Sequence, residues 1–572
     1  MTVPLPSLDR FTGGIKPYVL LSLFCLMLFL PGLVSLPPMD RDESRFMQAT
    51  RQMLETGDFI RIQFQDEMRA KKPAGAYWLQ AGSVTAFSHP ASTQTWPYRL
   101  PSVAAAWAAV LATFWFGRAL VGERPAFLGA VLLASTTMLV SEAHQAKTDA
   151  LLLLCTVLAQ GILARFYVSA RARDAAGGGG GGCGGGTMPP ALAASAPGVV
   201  EALLFWMVQG AAILVKGPVV PVISILTVLT LCVADRSARW LNPVKPMLGP
   251  LVAAAIAAPW FAAVSSATGG AFVGEAVKGD LLPKLLGAQE SHGGIPGMYL
   301  LLSVALLWPG SLVLGPVAVS LWGQRARLAF RFLLAWAVPA WIMFELIPTK
   351  LPHYVLPAFP ALMLMAAALV TEGLDAFQHR WAKLWYGLWC VIGFVLAALV
   401  VALPIKLGGG FSVLSVPAAA GILLATLLPV MLAWRGRIVP AALALGLTAL
   451  ATYPVLFHGV LPSLDKMFLS RGVAQVVSLV GSDGPVATAG YSEPSLVFLL
   501  GTETRILDGA GAADHLASHP RTLAVVESRQ AQAFQARVAE LGLAVESFGV
   551  VDGLNYSRGK PASLAVYGVK SP

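Results

Sequence analysis

The sequence predicts a polytopic α-helical membrane protein of about thirteen transmembrane helices, followed by a small C-terminal α/β domain. Three observations predict it. Hydrophobic residues fill 56% of the 572 positions and charged residues only 12%, about half the charge of a soluble domain. Apolar runs long enough to cross a bilayer recur through position 461. Beyond Asp465 charge returns, and short apolar runs alternate with helical stretches. This composition excludes an ordinary water-soluble enzyme and a disordered chain.

The expected spans are 15–36, 98–116, 126–140, 150–167, 199–215, 217–233, 247–264, 298–321, 332–347, 354–370, 384–401, 413–434 and 438–461. The first has Arg10 and Lys16 ahead of its apolar stretch and no small-residue cleavage site, so it reads as an uncleaved span. Arginines gather in alternate loops, at 118–124, 165–173, 236–239, 325–331, 380 and 435–437. That side is expected to be cytoplasmic, with the N-terminus inside. The domains are then a transmembrane part over 1–461 and a periplasmic α/β domain over 462–572. Within the first part, 37–97 forms an outer loop with juxtamembrane helices, and 174–198 a glycine-rich cytoplasmic linker. In a bacterium this places the protein in the inner membrane.

The net charge of +10 fits basic cytoplasmic loops and anionic lipid. No basic patch with interleaved aromatics is present, so nucleic acid is not an expected partner. Five cysteines without CxxC or Cys/His spacing suggest neither a disulfide framework nor a zinc site. Asn555-Tyr556-Ser557 spells a glycosylation sequon, which carries little weight in a bacterium. The tail shows no catalytic constellation.

Charges cluster at the expected outer mouths of the spans. The outer loop opens Met39-Asp40-Arg41-Asp42-Glu43-Ser44-Arg45 and continues as a helix to Glu55, stopped near Gly57. Phe46, Met53 and Leu54 fall on one face, which predicts an amphipathic helix lying on the outer leaflet. Asp42 and Glu43 occupy its first turn, with Arg45 one turn on. Acids there are favoured by the helix dipole and by capping. They equally suit a carboxylate base at the membrane surface, steadied by the arginine.

Three further clusters follow. Lys71-Lys72-Pro73 precedes Tyr77-Trp78. The proline suits a helix start and the aromatics suit the headgroup belt. Lys71 reads as a membrane anchor; Lys72 reads as an anchor or a phosphate ligand. Lys147-Thr148-Asp149 puts a carboxylate against hydrocarbon, which is costly and marks a functional candidate, or a helix cap. Glu345 to Tyr354 joins two spans through Pro348 and Pro352 and clusters Lys350, His353 and Tyr354. So short a loop could hold a cation beside a phosphate, or be a proline turn with an interfacial anchor. All four clusters share one side of the membrane. A phosphate-bearing lipid substrate suits that arrangement.

These motifs stand in a definite order. With Ser291-His292-Gly293-Gly294 before a span and Tyr491-Ser492-Glu493-Pro494-Ser495-Leu496 in the tail, they resemble the aminoarabinose transferases of lipid A modification. More broadly they resemble the protein O-mannosyltransferase-like membrane glycosyltransferases of the GT-C fold. The resemblance covers nearly the whole chain. It implies a sugar donor on a polyprenyl phosphate, a periplasmic acceptor such as lipid A, another lipid or glycan, or protein, and inversion at the anomeric carbon. By the same resemblance Asp42 is the essential carboxylate, and Arg45 holds its region in place. Lys72 contacts the donor phosphate or braces the loop, and Asp149 is the second cavity carboxylate. Lys350 and Tyr354 line the donor-phosphate side. The candidate catalytic residues are therefore Asp42, Asp149 and Glu43. The candidate donor-phosphate or supporting residues are Lys72, Arg45, Lys350, Tyr354 and His353. Some relatives hold a divalent metal through an acid before the conserved lysine and a Glu-His pair in the large external loop. Here Lys71 and Ala276 stand at those positions. No metal site or cofactor is assigned, and a divalent metal would have to do without its expected ligands.

The competing reading is a lipid-linked sugar transporter or flippase. It calls for paired broken helices and ionisable residues near mid-membrane. The span interiors mostly lack charge, which favours transfer chemistry at the outer surface.

Overall fold

The computed structural model describes residues 12–177, 197–281, 283 and 294–570. The glycine-rich tract from 178, with Cys183, and Ser291, His292 and Gly293 lie outside the described residues. Each of the thirteen expected apolar runs contains helix. Among the described residues, nine helices are long and apolar enough to cross a membrane on their own. The other four runs are short or broken. Lys16–Phe29 has 14 residues and Val219–Asp235 has 17. The latter parts from Val199–Lys216 at Gly217-Pro218, where Gly217 has φ +67°. That left-handed φ favours glycine, and Pro218 offers no N–H to continue the ladder.

Two runs are broken in the middle. The run at 126–140 becomes Glu123–Ala134 and Thr137–Ala143, bent by 62°. At the bend Ser135 Oγ donates to Val131 O and Thr136 Oγ1 to Leu133 O, both at 2.8 Å. These hydroxyls compete with the helix ladder at that point. The run at 298–321 becomes Met298–Leu306 and Ser311–Gly323, interrupted at Trp308-Pro309. The two breaks meet. Thr137 donates to Trp308 O from its backbone N at 2.8 Å and from Oγ1 at 3.1 Å. The Tyr453 hydroxyl donates to the same carbonyl at 3.2 Å. Irregular backbone at membrane depth persists only where protein supplies such partners. The bend carries Glu142 and the loop leading to Asp149 toward one face of the bundle.

The helix Asp42–Thr56 forms where the sequence predicts it and ends at Gly57, φ +71°. Its setting differs from the expectation. It does not lie on a leaflet with its polar side in water, because both sides are covered. Residues 46–53 are all buried. The polar side meets the tail: Gln48 Nε2 donates to Thr502 Oγ1 at 2.8 Å, and Arg51 Nη1 donates to Phe498 O at 3.0 Å. Phe498 itself packs with Met47, Val84, Tyr98 and Ala146. Next along the chain is a short hairpin, β1 (Gln63–Phe64) with β2 (Glu67–Met68). The helix Gly75–Phe87 follows it. A Cβ on Gly75 would lie 2.8 Å from Leu214 O, so only glycine permits this approach to the helix Val199–Lys216. Lys72 and Lys216, close in sequence to these two positions, both line one cavity.

The tail forms a mixed five-stranded sheet. Its strands are β3 (Ala487–Ala489), β4 (Arg505–Leu507), β5 (Leu523–Glu527), β6 (Val545–Asn555) and β7 (Lys560–Val569), in the order β4-β3-β5-β7-β6. β3 pairs in parallel with β4 and β5, while β7 is antiparallel to β5 and β6. β5 is buried at all five positions, as expected of a strand covered on both faces. The short apolar runs expected in the tail, at 485–489, 522–526 and 563–569, become β3, β5 and β7. The sequence reading missed β4 and β6, the two edge strands, which alternate or expose their side chains and so lack an apolar signal.

Candidate active site

A cavity of about 410 Å³ opens at the face where the clusters meet. Asp42, Asp149, Glu43, Arg45, Lys72, His353 and Tyr354 line it, together with Asp40, Arg41, Arg69, Lys71, Lys147, Lys216, Tyr556 and Ser557. Seven lysine and arginine side chains therefore surround four carboxylates. That excess makes the cavity attractive to an anion. Of the eight candidate residues read from the sequence, all but Lys350 reach it.

Asp42 does not cap its helix. The N-cap position is Arg41, and no side chain closes the helix start. Burial alone would raise the Asp42 carboxyl, but Lys147, then Arg69, Lys72 and His353, hold it below the usual carboxylate range. It stays ionised at neutral pH.

Glu43 is placed differently, and its expected catalytic role is corrected. Its side chain is fully enclosed opposite an equally enclosed Arg99. Oε1 accepts from Arg99 Nε at 2.8 Å and from Ala146 N at 2.8 Å. Oε2 accepts from Arg99 Nη2 and Met39 N, each at 2.9 Å. With both oxygens occupied, Glu43 ties the outer loop to the bundle and has no lone pair to spare for a substrate proton.

The floor of the cavity is an ion-pair network. Lys147 Nζ donates to Glu142 Oε1 at 3.0 Å, and Lys216 Nζ donates to Asp149 Oδ1 at 2.5 Å. The His353 ring sits between the two acids, 3.8 Å from Glu142 and 3.7 Å from Asp149. Lys216 Nζ also lies 5.3 Å from the centre of the Tyr354 ring. Burial opposes the charge on Lys147, but Glu142, Asp149 and Asp42 hold it firmly protonated. Glu142, Asp149 and His353 offer three ligand atoms within 4.8 Å of one another. The spacing would suit a divalent cation, but the charge does not. Two ammonium groups already neutralise the two carboxylates, so a cation there would have to displace Lys147 and Lys216.

Lys350 is a second correction. It turns away from the cavity. Nζ donates to Phe344 O at 2.9 Å and Glu345 O at 2.5 Å, closing the C-terminal end of the helix Leu328–Leu346. Lys350→Met is expected to cost about 1–3 kcal/mol in stability while leaving the donor KM within about twofold, read by thermal unfolding and donor titration.

Sequence reasoning missed Arg69, Lys216, Glu142 and Arg99. Arg69 lies in the loop without a motif, donating from Nε to Tyr77 Oη at 3.0 Å. The other three sit inside or at the ends of apolar runs, where a lone charge is the only signal. Asn555-Tyr556-Ser557 also has an unforeseen place. Asn555 is buried and donates to Glu493 Oε1 at 2.9 Å, so it is no free glycosylation acceptor. Tyr556 and Ser557 line the cavity, so the tail contributes to the site after all.

Desolvation between loop and tail, with Glu493 nearby, pushes the Asp40 carboxyl up to about 7 against the pull of Ser495 and Arg45. A raised acid contributes stability that is present below its unfolded pKa and lost as pH rises through its folded one. The thermal midpoint is therefore expected to fall as pH rises between about 4 and 7, and Asp40→Asn to flatten that slope.

The chain shares sequence and fold with known proteins. The profile of the dolichyl-phosphate-mannose-protein mannosyltransferases matches residues 71–178. An undecaprenyl phosphate-α-4-amino-4-deoxy-L-arabinose arabinosyl transferase of Aeromonas hydrophila is 27% identical over 398 residues, covering 66% of this chain and 65% of the relative. Its namesake in Pectobacterium carotovorum is 26% identical over 408 residues, covering 68% and 65%. The match thus spans just under two thirds of these relatives' length. Among solved structures, ArnT from Cupriavidus metallidurans bound to undecaprenyl phosphate superposes with a TM-score of 0.70 at 16% identity, covering 97% of this chain and 98% of that one. The apo form gives 0.68 at 17% identity, covering 96% and 97%. The chain is a multi-span membrane protein with the ArnT-like GT-C fold and a small C-terminal sheet unit.

Proposed function

We propose, from the fold it shares with ArnT, that this chain is an integral membrane glycosyltransferase. It moves a sugar from a polyprenyl-phosphate donor to a lipid, glycan or protein acceptor. The observation that carries this reading is the cavity itself, where Asp42 and Asp149 stand among seven cations beside an apolar bundle. The reaction is a single displacement. The acceptor hydroxyl oxygen attacks the anomeric carbon as the bond to phosphate breaks, which inverts that carbon. The donor leaves as polyprenyl phosphate, its charge met by the lysines and arginines of the wall. A carboxylate held as low as Asp42 is a weak base for a free hydroxyl. Its work is to orient that hydroxyl, to oppose the positive charge at the anomeric carbon, and to take the proton as the new bond forms. Lys216 and Lys147 fix Asp149 and Glu142 beneath it.

The arginine bias of alternate loops supports an inner-membrane location with the N-terminus cytoplasmic and the cavity and tail periplasmic. One observation favours the transporter reading: two broken helices meet at Trp308. Neutral hydroxyl and carbonyl groups close that junction, whereas transport sites of this kind use ionisable residues. Glycosyl transfer is therefore preferred.

The test is transfer in proteoliposomes. Labelled undecaprenyl-phosphate sugars are supplied with lipid, glycan and protein acceptors in turn. Label is expected in one acceptor pool. Sugar-lipid crossing the bilayer with no transferred label would overturn the reading. Because Lys147 and Lys216 neutralise the floor, chelation with EDTA is expected to leave the rate within about twofold; a loss restored by one divalent ion would show that a metal displaces those lysines.

A further inference from the structure

Asp42 stands between two anchors that belong to different parts of the molecule. Directly after it, Glu43 is bound to Arg99 and Ala146 of the helical bundle. Two residues before it, Asp40 hydrogen-bonds to the tail. Its Oδ1 accepts from Ser495 N at 2.8 Å and its Oδ2 from Ser495 Oγ at 2.7 Å. Its backbone N donates to the Tyr556 hydroxyl, which returns a bond to the Asp40 carbonyl at 3.3 Å. Arg41, the one residue between the two acids, pairs with Glu493 at 3.5 Å. Ser495 is itself held from behind. Its Oγ bonds Ser470 Oγ at 2.6 Å, and Ser470 bonds the Tyr491 hydroxyl at 3.1 Å.

We propose that the tail works as the second clamp of the reaction centre, with Ser495 as a positioning residue that sets the Asp42 carboxylate through Asp40. The proposal rests on the glycosyltransferase reading. With only the bundle anchor, the start of the helix Asp42–Thr56 can pivot about Glu43. A carboxylate misplaced by about 1 Å loses on the order of a hundredfold in rate. The clamp acts on the chemical step, while Lys72, Lys147 and Lys216, cations of the wall carried by other segments, stay in place.

The experiment compares Ser495→Ala with Ser495→Thr in the full chain. Alanine suits the helix at that position, and threonine restores the hydroxyl. Three quantities are read: kcat, the donor KM, and hydrogen exchange of the amides of residues 40–46. Ser495→Ala is expected to lower kcat about 10- to 100-fold, to leave KM within about twofold, and to speed exchange at 40–46 about tenfold or more. Ser495→Thr is expected to keep all three near wild type. Wild-type kcat and wild-type exchange in Ser495→Ala would overturn the proposal. So would an equal loss in both variants with a parallel fall in thermal midpoint, which marks general unfolding. If the wild type transfers no sugar, the enzyme reading fails; unchanged exchange in Ser495→Ala would then separately refute the clamp.

Discussion

Asp42→Asn is expected to reduce sugar transfer by a factor of about 10³ or more, with the protein still folded. Asparagine keeps the shape and loses the charge that Lys147, Arg69 and Lys72 surround. Proton transfer alone supplies about 10²–10⁴ in rate, and opposing charge at the anomeric carbon adds to it. Initial rates with labelled donor at matched protein levels measure the loss, and thermal unfolding checks the fold. Transfer within tenfold of wild type would remove Asp42 from the chemistry and move attention to Asp149. The pH profile supplies a second check. Since Asp42 is held below the usual range, its rate plateau should extend on the acid side to below about pH 4. An acid limb near neutrality that persists in Asp40→Asn would contradict the assignment.

Arg99→Met is expected to produce the largest loss of stability, about 3–5 kcal/mol. Arg99 and Glu43 are both fully enclosed, and Arg99 also donates to the carbonyls of Leu33, Leu36 and Pro37 at 2.8–3.0 Å. Removing the cation leaves Glu43 charged and unpaired inside the protein. Glu43→Leu alone should damage stability in the same way. The double variant should recover part of the loss, because an apolar pair avoids the cost of an orphaned charge. Thermal unfolding of the four proteins forms the cycle. If the double variant falls by the sum of the singles, the two residues do not act as a pair. The neighbours Asp42 and Glu43 should thus fail in opposite ways, one in rate and one in stability.

That contrast shows where the sequence stops being legible. Hydropathy marks the ends of spans, and Asp42, Arg45, Asp149, His353 and Tyr354 lie near such ends on one side, with Lys72 in the outer loop between two of them. Their gathering around one cavity follows from topology. Adjacent helical residues point about 100° apart, and the phase of a short helix depends on what covers it. Nothing in Asp42-Glu43 says which acid faces the cavity and which faces Arg99, since Arg99 itself sits 56 positions away in an apolar run. Lys350 failed for a related reason. Its long side chain reaches two free carbonyls at a helix end, a nearer partner than any ligand. The tail's share was the least visible, because Tyr556 meets Asp40 across 516 positions.

The pairing of Asp40 with Ser495 also has a consequence for how the protein comes into being. Its partners lie 455 residues apart. At a synthesis rate of about 5–20 residues per second, roughly 25–90 s pass between the making of the first and the second. During that interval the bundle can assemble around Glu43 and Arg99 while the carboxylate beside them still lacks its far support. A nascent or truncated chain therefore carries the cavity side chains without their second clamp, and the full transfer rate is expected only once the tail has been made.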